Sequence, residues 1–137
     1  MEVNFFYSYI ISIPVVTFFV TIVLKALFLW LAKSDNVINV ALWSWGMPSA
    51  HSSLATSLTT AIAIKNTVYS DIFALAFIFT VIIIYDAINI RYEAGLHAWL
   101  LNKELWANFN ESLWHLPSEA LAWSVLWIVV AVALYFI

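Results

Sequence analysis

The stretch PSAHSSLATSLTTAIAIK, residues 48–65, decides the fold, because it consists largely of small and hydroxyl-bearing side chains. In a membrane, serine, threonine and alanine let helices approach closely, and their hydroxyls hydrogen-bond to neighbouring helices. Such a surface suits contact with other helices better than contact with lipid tails. We therefore predict that residues 48–65 form the most buried helix of a bundle.

The remainder of the chain is strongly apolar. Hydrophobic residues make up 65% of its 137 residues and charged residues 9%, with two glycines and no cysteine. This composition indicates an integral membrane protein, and the lack of cysteine excludes disulfides and thiolate metal sites. Basic residues are not clustered, so no nucleic-acid partner is expected. No linker or internal repeat is visible, and residues 1–137 are predicted to form one membrane-embedded domain.

Four segments are predicted to cross the bilayer, since about 20 apolar residues span its hydrocarbon layer of ~30 Å. The first is long enough to tilt or to kink at Pro14. The stretch 92–116 is more polar and is expected at the membrane interface. The predicted fold is an all-α membrane bundle of about four transmembrane helices, with an interfacial segment between the third and the fourth. The predicted spans are residues 5–32, 48–65, 71–91 and 117–137.

Consecutive spans alternate in direction, which brings most polar side chains to one membrane face. The first and third spans end at this face, and the second and fourth begin there. All three histidines lie at or near it. The opposite face is left with Glu2, Lys65 and Asp71. Basic residues near the polar face outnumber those on the other, which favours a cytoplasmic orientation of the polar face in a multi-pass protein. Those basic residues are Lys33, Arg91 and Lys103.

The start of the second span has the character of an anion site. Pro48 suits the first helical position, and His51 is predicted in the first turn. Backbone N–H groups there lack partners within the helix, and the helix dipole is positive at this end. Ser49 and Ser52 add hydroxyl donors. Together with cations and a second histidine from other spans, these groups indicate a phosphate site with acid–base residues.

Simpler interpretations exist for single residues of this set. Lys25 can extend its side chain to the lipid headgroups from the end of a helix. Asp86 and Arg91, five residues apart, can neutralise one another. Glu119 can either hold the imidazole of His115 four residues earlier in one tautomer, or stabilise the positive start of the fourth span.

Three blocks of sequence resemble a known family. They are GMPSAHS (46–52), YDAINIRYEAGLHAWLLN (85–102) and WHLPSEA (114–120). In this order they are similar to the divergent branch of the type 2 phosphatidic acid phosphatase superfamily, whose relatives include vanadium haloperoxidases. The resemblance covers roughly residues 20–125, with the middle block the most specific.

The resemblance implies a phosphatase that needs no metal or cofactor and works through a phosphohistidine. By this likeness His115 is the nucleophile, Glu119 its orienting carboxylate and His51 the general acid. The implied substrate is a lipid phosphate or diphosphate, whose headgroup lies at the interface among membrane lipids; assembly with further copies of the chain is left open. The residues implied to bind the phosphoryl oxygens are Lys25, Ser49 and Arg91, and those implied to support them are Asp86 and Ser52.

Two other functions remain open at this stage. A chain with only five lysines and arginines also fits a non-catalytic membrane protein that binds anionic headgroups or partner proteins. Alternatively, Glu93 with His97, and His115 with Glu119, are spaced to chelate a divalent metal, which predicts a metal-dependent membrane hydrolase.

Overall fold

The computed structural model of the chain describes residues 5–31, 33, 37, 48–106, 108–109, 111 and 116–137. These residues form helices and turns, and no strand occurs among them. The predicted all-helical class is therefore confirmed. In chain order the helices are α1 Phe5–Ser8, α2 Ser12–Leu31, α3 Ala50–Asn66, α4 Asp71–Ile88, α5 Ile90–Leu105 and α6 Pro117–Phe136.

Three of the described helices are long and apolar enough to cross a membrane. Over an 18-residue window the mean hydropathy is 2.2 for α2, 2.0 for α6, and 2.2 within the helical stretch that α4 begins and α5 continues. Between 11% and 28% of their apolar windows is buried within the protein, so most of their large side chains point outwards. Outward-facing apolar surface on this scale is expected where the surrounding solvent is lipid. The chain is thus a helical membrane protein.

Helix α3 lies among these three and contacts all of them. As predicted, it is the most buried of the described helices, and its buried side chains are mainly hydroxyls. With 17 residues, many of them serine and threonine, it is not among the long apolar helices. The surrounding helices shield it from lipid. Its buried residues are Ser52, Ser53, Thr56, Ser57, Thr59, Ala61 and Ile62.

Hydroxyl contacts join α3 to α4. The hydroxyl oxygens of Thr59 and Thr80 lie 2.8 Å apart. Thr59 Oγ1 also donates to the carbonyl of Ala76 at 3.2 Å, and Thr80 Oγ1 to that of Ala55 at 3.2 Å. Since the later residue of each helix meets the earlier residue of the other, α3 and α4 are antiparallel.

Helices α2 and α3 are antiparallel as well. The hydroxyl of Thr17 lies 2.8 Å from that of Ser57. Four residues earlier on α2, Ile13 shares a buried apolar cluster with Ala61, which lies four residues later on α3. The partners therefore advance in opposite directions along the two helices.

Helix α6 is antiparallel to α2, and so parallel to α3. Near the start of α6 the ring of Trp123 meets that of Phe28, close to the end of α2, at a centroid distance of 6.4 Å. Near the end of α6, Tyr135 joins the buried cluster around Ile13. The end of α2, the start of α3, the end of α4 and the start of α6 therefore lie at the same end of the bundle, which we call the polar end.

The structure corrects three details of the predicted spans. At Pro14 the first span is interrupted and not only kinked: the break lies at residues 9–11, in the turn whose carbonyls Pro14 cannot bond, and Pro14 itself lies in the first turn of α2, where a missing N–H is tolerated. Pro48 precedes the helix, because Ser49 is the capping residue of α3. The third span ends at Ile88, and residues 90–105 form the separate helix α5.

The hydroxyl contact between Thr59 and Thr80 is expected to stabilise the bundle measurably. A double-mutant cycle with Thr59→Val and Thr80→Val should give a coupling free energy of about 0.6–1.7 kcal/mol, the range of hydrogen bonds between membrane helices. Unfolding in mixed micelles measures it. As a control, Thr17→Val and Thr80→Val, on helices that share no hydroxyl contact, should be additive. Additive effects for Thr59 and Thr80 would contradict the packing of α3 on α4.

Candidate functional site

Helix α2 brings Lys25 to the start of α3. Thr17 pairs with Ser57; Lys25 lies eight residues further along α2, and Ser49 eight residues back along α3. The antiparallel register therefore places Lys25 level with Ser49. Lys25 is only 4% exposed. A buried ammonium group within a membrane helix is costly unless it serves a purpose or meets a partner, which makes Lys25 a functional candidate.

The first turn of α3 is organised by serine hydroxyls. Ser49 Oγ caps the helix by accepting the backbone N–H of Ser52 at 3.3 Å, and it also accepts the hydroxyl of Ser52 at 3.2 Å. Both serines are buried, whereas His51 between them is exposed. His51 therefore lies at the solvent-accessible edge of the polar end, where the positive end of the α3 dipole is.

Helices α4 and α5 supply an ion pair next to this turn. Arg91 Nε donates to Asp86 Oδ2 at 3.0 Å across the junction at Asn89. There the backbone stays close to helical, since the N–H of Asn89 donates to the carbonyl of Tyr85 at 2.9 Å. The Arg91 side chain is 14% exposed and that of Asp86 37%. The two residues do neutralise one another, as the simpler interpretation of the sequence holds.

The charged groups and His51 come together at the polar end. Asp86 lies six residues beyond Thr80, which faces Ala55 of α3, so Asp86 is about level with the first turn of α3. Lys25, Asp86 and Arg91 therefore lie near enough to His51 for their charges to influence its imidazole. Four separate helices thus contribute to one polar cluster, and its net charge is positive because two cations face one carboxylate.

Helix α6 begins at the same end of the bundle. Glu119 is the third residue of α6, and its Oε2 accepts the backbone N–H of Leu116 at 3.0 Å. Glu119 therefore caps α6, one of the two roles predicted for it. His115 lies outside the described residues. Its predicted role as nucleophile, and the orienting role of Glu119, remain predictions.

Asn102 holds Phe109 and Glu111, which precede His115 in the sequence, a role that the sequence did not reveal. Its Nδ2 donates to the carbonyl of Phe109 at 2.9 Å and to Glu111 Oε1 at 2.7 Å, and its Oδ1 accepts the N–H of Phe109 at 2.8 Å. The side-chain amide thus pairs with the Phe109 backbone as a second strand would. Asn102 is the last residue of the middle sequence block, but only the structure shows that its side chain bonds to Phe109 and Glu111.

The described residues give little support to a metal site. Glu93 and His97 are both exposed on α5. Across the described parts of the chain, no group of three histidine, aspartate or glutamate residues could hold a metal ion.

These features define a class of protein: a helical membrane protein with a cationic, hydroxyl-lined cluster at one end of its bundle. The chain belongs to the Divergent PAP2 family, which it matches over residues 6–130. It is also similar to the uncharacterized membrane protein YuiD of Bacillus subtilis (strain 168), with 43% identity over 65 residues. That stretch covers 47% of this chain and 40% of the relative. No solved structure matches the chain significantly.

The polar end is expected to bind phosphate-like anions through Lys25. Lys25→Met removes a buried charge while keeping the apolar stem, and should weaken binding of orthovanadate at least about tenfold, since a hydrogen bond to a charged group contributes ~1.5–3 kcal/mol. Titration of the detergent-purified protein measures the affinity. Lys65→Met, at the opposite end of α3, is the matched control. If the Lys25 variant and the wild type bind orthovanadate with equal affinity, Lys25 is not part of the anion site.

The Asn102 contacts should slow hydrogen exchange in the following loop. Asn102→Ala removes all three hydrogen bonds, and exchange of the backbone amides in residues 106–111 should accelerate about five- to tenfold, as expected for ~1 kcal/mol of lost local stability. Mass spectrometry of the peptide follows it. Asn66→Ala, at the far end of α3, should leave this peptide unchanged. Unchanged exchange in the Asn102 variant would show that the contacts do not hold the loop.

Proposed function

We propose that the chain is a membrane phosphatase that hydrolyses a lipid phosphate or lipid diphosphate through a phosphohistidine on His115, without a metal ion. The observation that carries the proposal is the convergence of Lys25, Arg91 and the hydroxyl-lined start of α3 around His51. Membership of the Divergent PAP2 family supports a phosphatase of this kind.

In the first step the substrate phosphorus is attacked by His115. A bond forms between the imidazole nitrogen and phosphorus, and the bond from phosphorus to the leaving oxygen breaks. Protonated His51 donates its proton to that oxygen, which leaves as an alcohol, or as a phosphate from a diphosphate. In this scheme Glu119 keeps the His115 imidazole oriented.

In the second step water attacks the phosphohistidine. The now neutral His51 accepts a proton from the water, the bond from nitrogen to phosphorus breaks, and inorganic phosphate leaves. Phosphoryl transfer depends mainly on positioning and on positive charge around the equatorial oxygens. Lys25, Arg91 and the hydroxyl of Ser49 would supply these, while Asp86 holds the guanidinium in place.

The substrate class follows from the surroundings of the cluster. At the polar end α2 and α4 end and α6 begins, and the outer sides of these three helices are apolar and face lipid. A headgroup can therefore reach the cluster while its hydrocarbon chains stay in the bilayer. A cytoplasmic orientation of this end, in a multi-pass arrangement, is part of the proposal and rests on the distribution of lysine and arginine.

Phosphate release in detergent from a panel of lipid phosphates and diphosphates tests the proposal. His115→Ala should abolish turnover, and His51→Ala should lower kcat about 10²- to 10⁴-fold, the usual contribution of general acid–base catalysis. His97→Ala is the matched control, because His97 is exposed on α5, six residues beyond Arg91; it should retain full activity.

Three outcomes would contradict the mechanism. Activity that survives His115→Ala excludes the phosphohistidine. Activity that is lost on treatment with a chelator would require a metal. The absence of turnover in the wild type, with lipid phosphate still bound, would instead indicate a non-catalytic headgroup-binding protein.

A further inference from the structure

Asn102 lies on the face of α5 that also carries Arg91. Asn102 follows Arg91 by eleven residues. Gly95 and Ala98 fall between them at the spacing of one helix face, and these two are the buried residues of α5. Asn102 and Arg91 are half-buried at the two ends of this face. The face therefore connects the polar cluster with the last turn of α5, ~16 Å away at ~1.5 Å per residue.

The side chain of Asn102 bonds the chain that follows α5 with all of its N–H groups. Its Nδ2 donates to the carbonyl of Phe109 at 2.9 Å and to Oε1 of Glu111 at 2.7 Å, and its Oδ1 accepts the N–H of Phe109 at 2.8 Å. An asparagine amide has two N–H groups and one carbonyl oxygen, so each of its polar groups is used. Because one planar side chain bonds both backbone groups of Phe109, it fixes the orientation of this residue as well as its position.

These bonds span a turn at Trp106. The backbone of Trp106 is left-handed, with φ 52° and ψ 29°. A bulky residue rarely adopts this conformation, and it persists where surrounding contacts hold it. Trp106 is itself 94% exposed, so packing of its ring contributes little. The bonds of Asn102 therefore hold the turn that leads away from α5.

The chain is tied a second time at the start of α6. Glu119 Oε2 accepts the N–H of Leu116 at 3.0 Å. That N–H belongs to the peptide bond between His115 and Leu116, so α6 holds the chain immediately after the proposed nucleophile. Only residues 112–115 lie between this tie and the tie of Asn102 at Glu111.

We propose that Asn102 is a positioning residue for His115, the nucleophile of the proposed phosphatase, and acts through Phe109 and Glu111. The inference rests on the proposed function for the role of His115, and it adds how that residue is held in place. A nucleophile has to lie close to the phosphorus and in line with the leaving oxygen, and a displacement of about 1 Å can lower the rate about 10²-fold.

Turnover by the detergent-purified full chain separates this role from a purely structural one. With the lipid phosphate that the wild type hydrolyses fastest, Asn102→Ala should lower kcat about 10²-fold. KM and the affinity for orthovanadate should stay within about twofold, because the groups proposed to bind phosphate remain. Asn108→Ala removes an exposed asparagine of the same stretch and should retain the wild-type kcat. An unchanged kcat in Asn102→Ala, or an equal loss in Asn108→Ala, would overturn the inference.

A polarity swap tests the contact independently of a folding defect. Asn102→Asp keeps the size of the side chain and an acceptor for the N–H of Phe109, but it loses both donors and sets a carboxylate against that of Glu111. It should lower kcat at least as much as Asn102→Ala. Glu111→Gln alone should have little effect, because its amide oxygen still accepts from Asn102.

The double variant Asn102→Asp with Glu111→Gln regains a hydrogen bond, because the new amide can donate to the new carboxylate. Its kcat should exceed that of Asn102→Asp about tenfold, as expected for a hydrogen bond to a charged group. If the double variant is no faster than Asn102→Asp, the contact does not govern the rate and the inference fails.

Histidine NMR tests the position of His115 without requiring turnover. The chain has three histidines, so spectra of protein with ¹⁵N-labelled histidine are simple, and His115→Gln assigns the signal. Asn102→Ala should shift or split the imidazole resonances of His115 and leave those of His51 unchanged, whereas Asn108→Ala should change neither. Unchanged His115 resonances in Asn102→Ala would contradict the inference.

The two measurements separate the inference from the proposed function. If the wild type hydrolyses no lipid phosphate but Asn102→Ala shifts the His115 resonances, the phosphatase proposal fails and the positioning of His115 by Asn102 stands. If Asn102→Ala hydrolyses lipid phosphate at the wild-type rate, the positioning role fails and the phosphatase proposal stands.

Discussion

The enclosure of α3 by apolar helices is the constraint on which the rest of the structure depends. A helix rich in serine and threonine gains little from lipid, but its hydroxyls can hydrogen-bond to neighbouring helices. Here Thr17 with Ser57, and Thr59 with Thr80, fix α2 and α4 against it. Because these contacts are directional, they set the register of the bundle as well as its stability.

That register determines which charged groups meet. With α2 and α4 antiparallel to α3, and α6 parallel to it, the end of two helices and the start of two others coincide. Lys25, the only charged residue of α2, is buried and lies level with Ser49 and near His51. The Asp86–Arg91 pair arrives at the same level from α4 and α5. The packing of the hydroxyl helix thus brings together the groups to which the proposed phosphatase function assigns phosphate binding.

Much of this arrangement could be predicted from the sequence, because apolar runs and alternating direction already bring His51, Lys25 and Arg91 to one face. The buried position of residues 48–65 followed from their composition. Pro14 marks the turn around Ile10, since it cannot donate to that carbonyl, but whether the helix would kink there or break into two could not be foreseen from the sequence. The role of Asn102 was equally hidden, because its partners are backbone groups of the following loop. His115 stays a prediction from sequence.

Chemical trapping of a phosphoenzyme tests the central claim most directly. The full chain is incubated with a radiolabelled lipid phosphate, quenched in alkali, and digested for peptide mapping. A phosphohistidine is stable in alkali and labile in acid, so the account predicts alkali-stable, acid-labile label on the peptide that contains His115, and none in the His115→Gln variant. Turnover without any trapped label on that peptide, or label that persists in the variant, would contradict it.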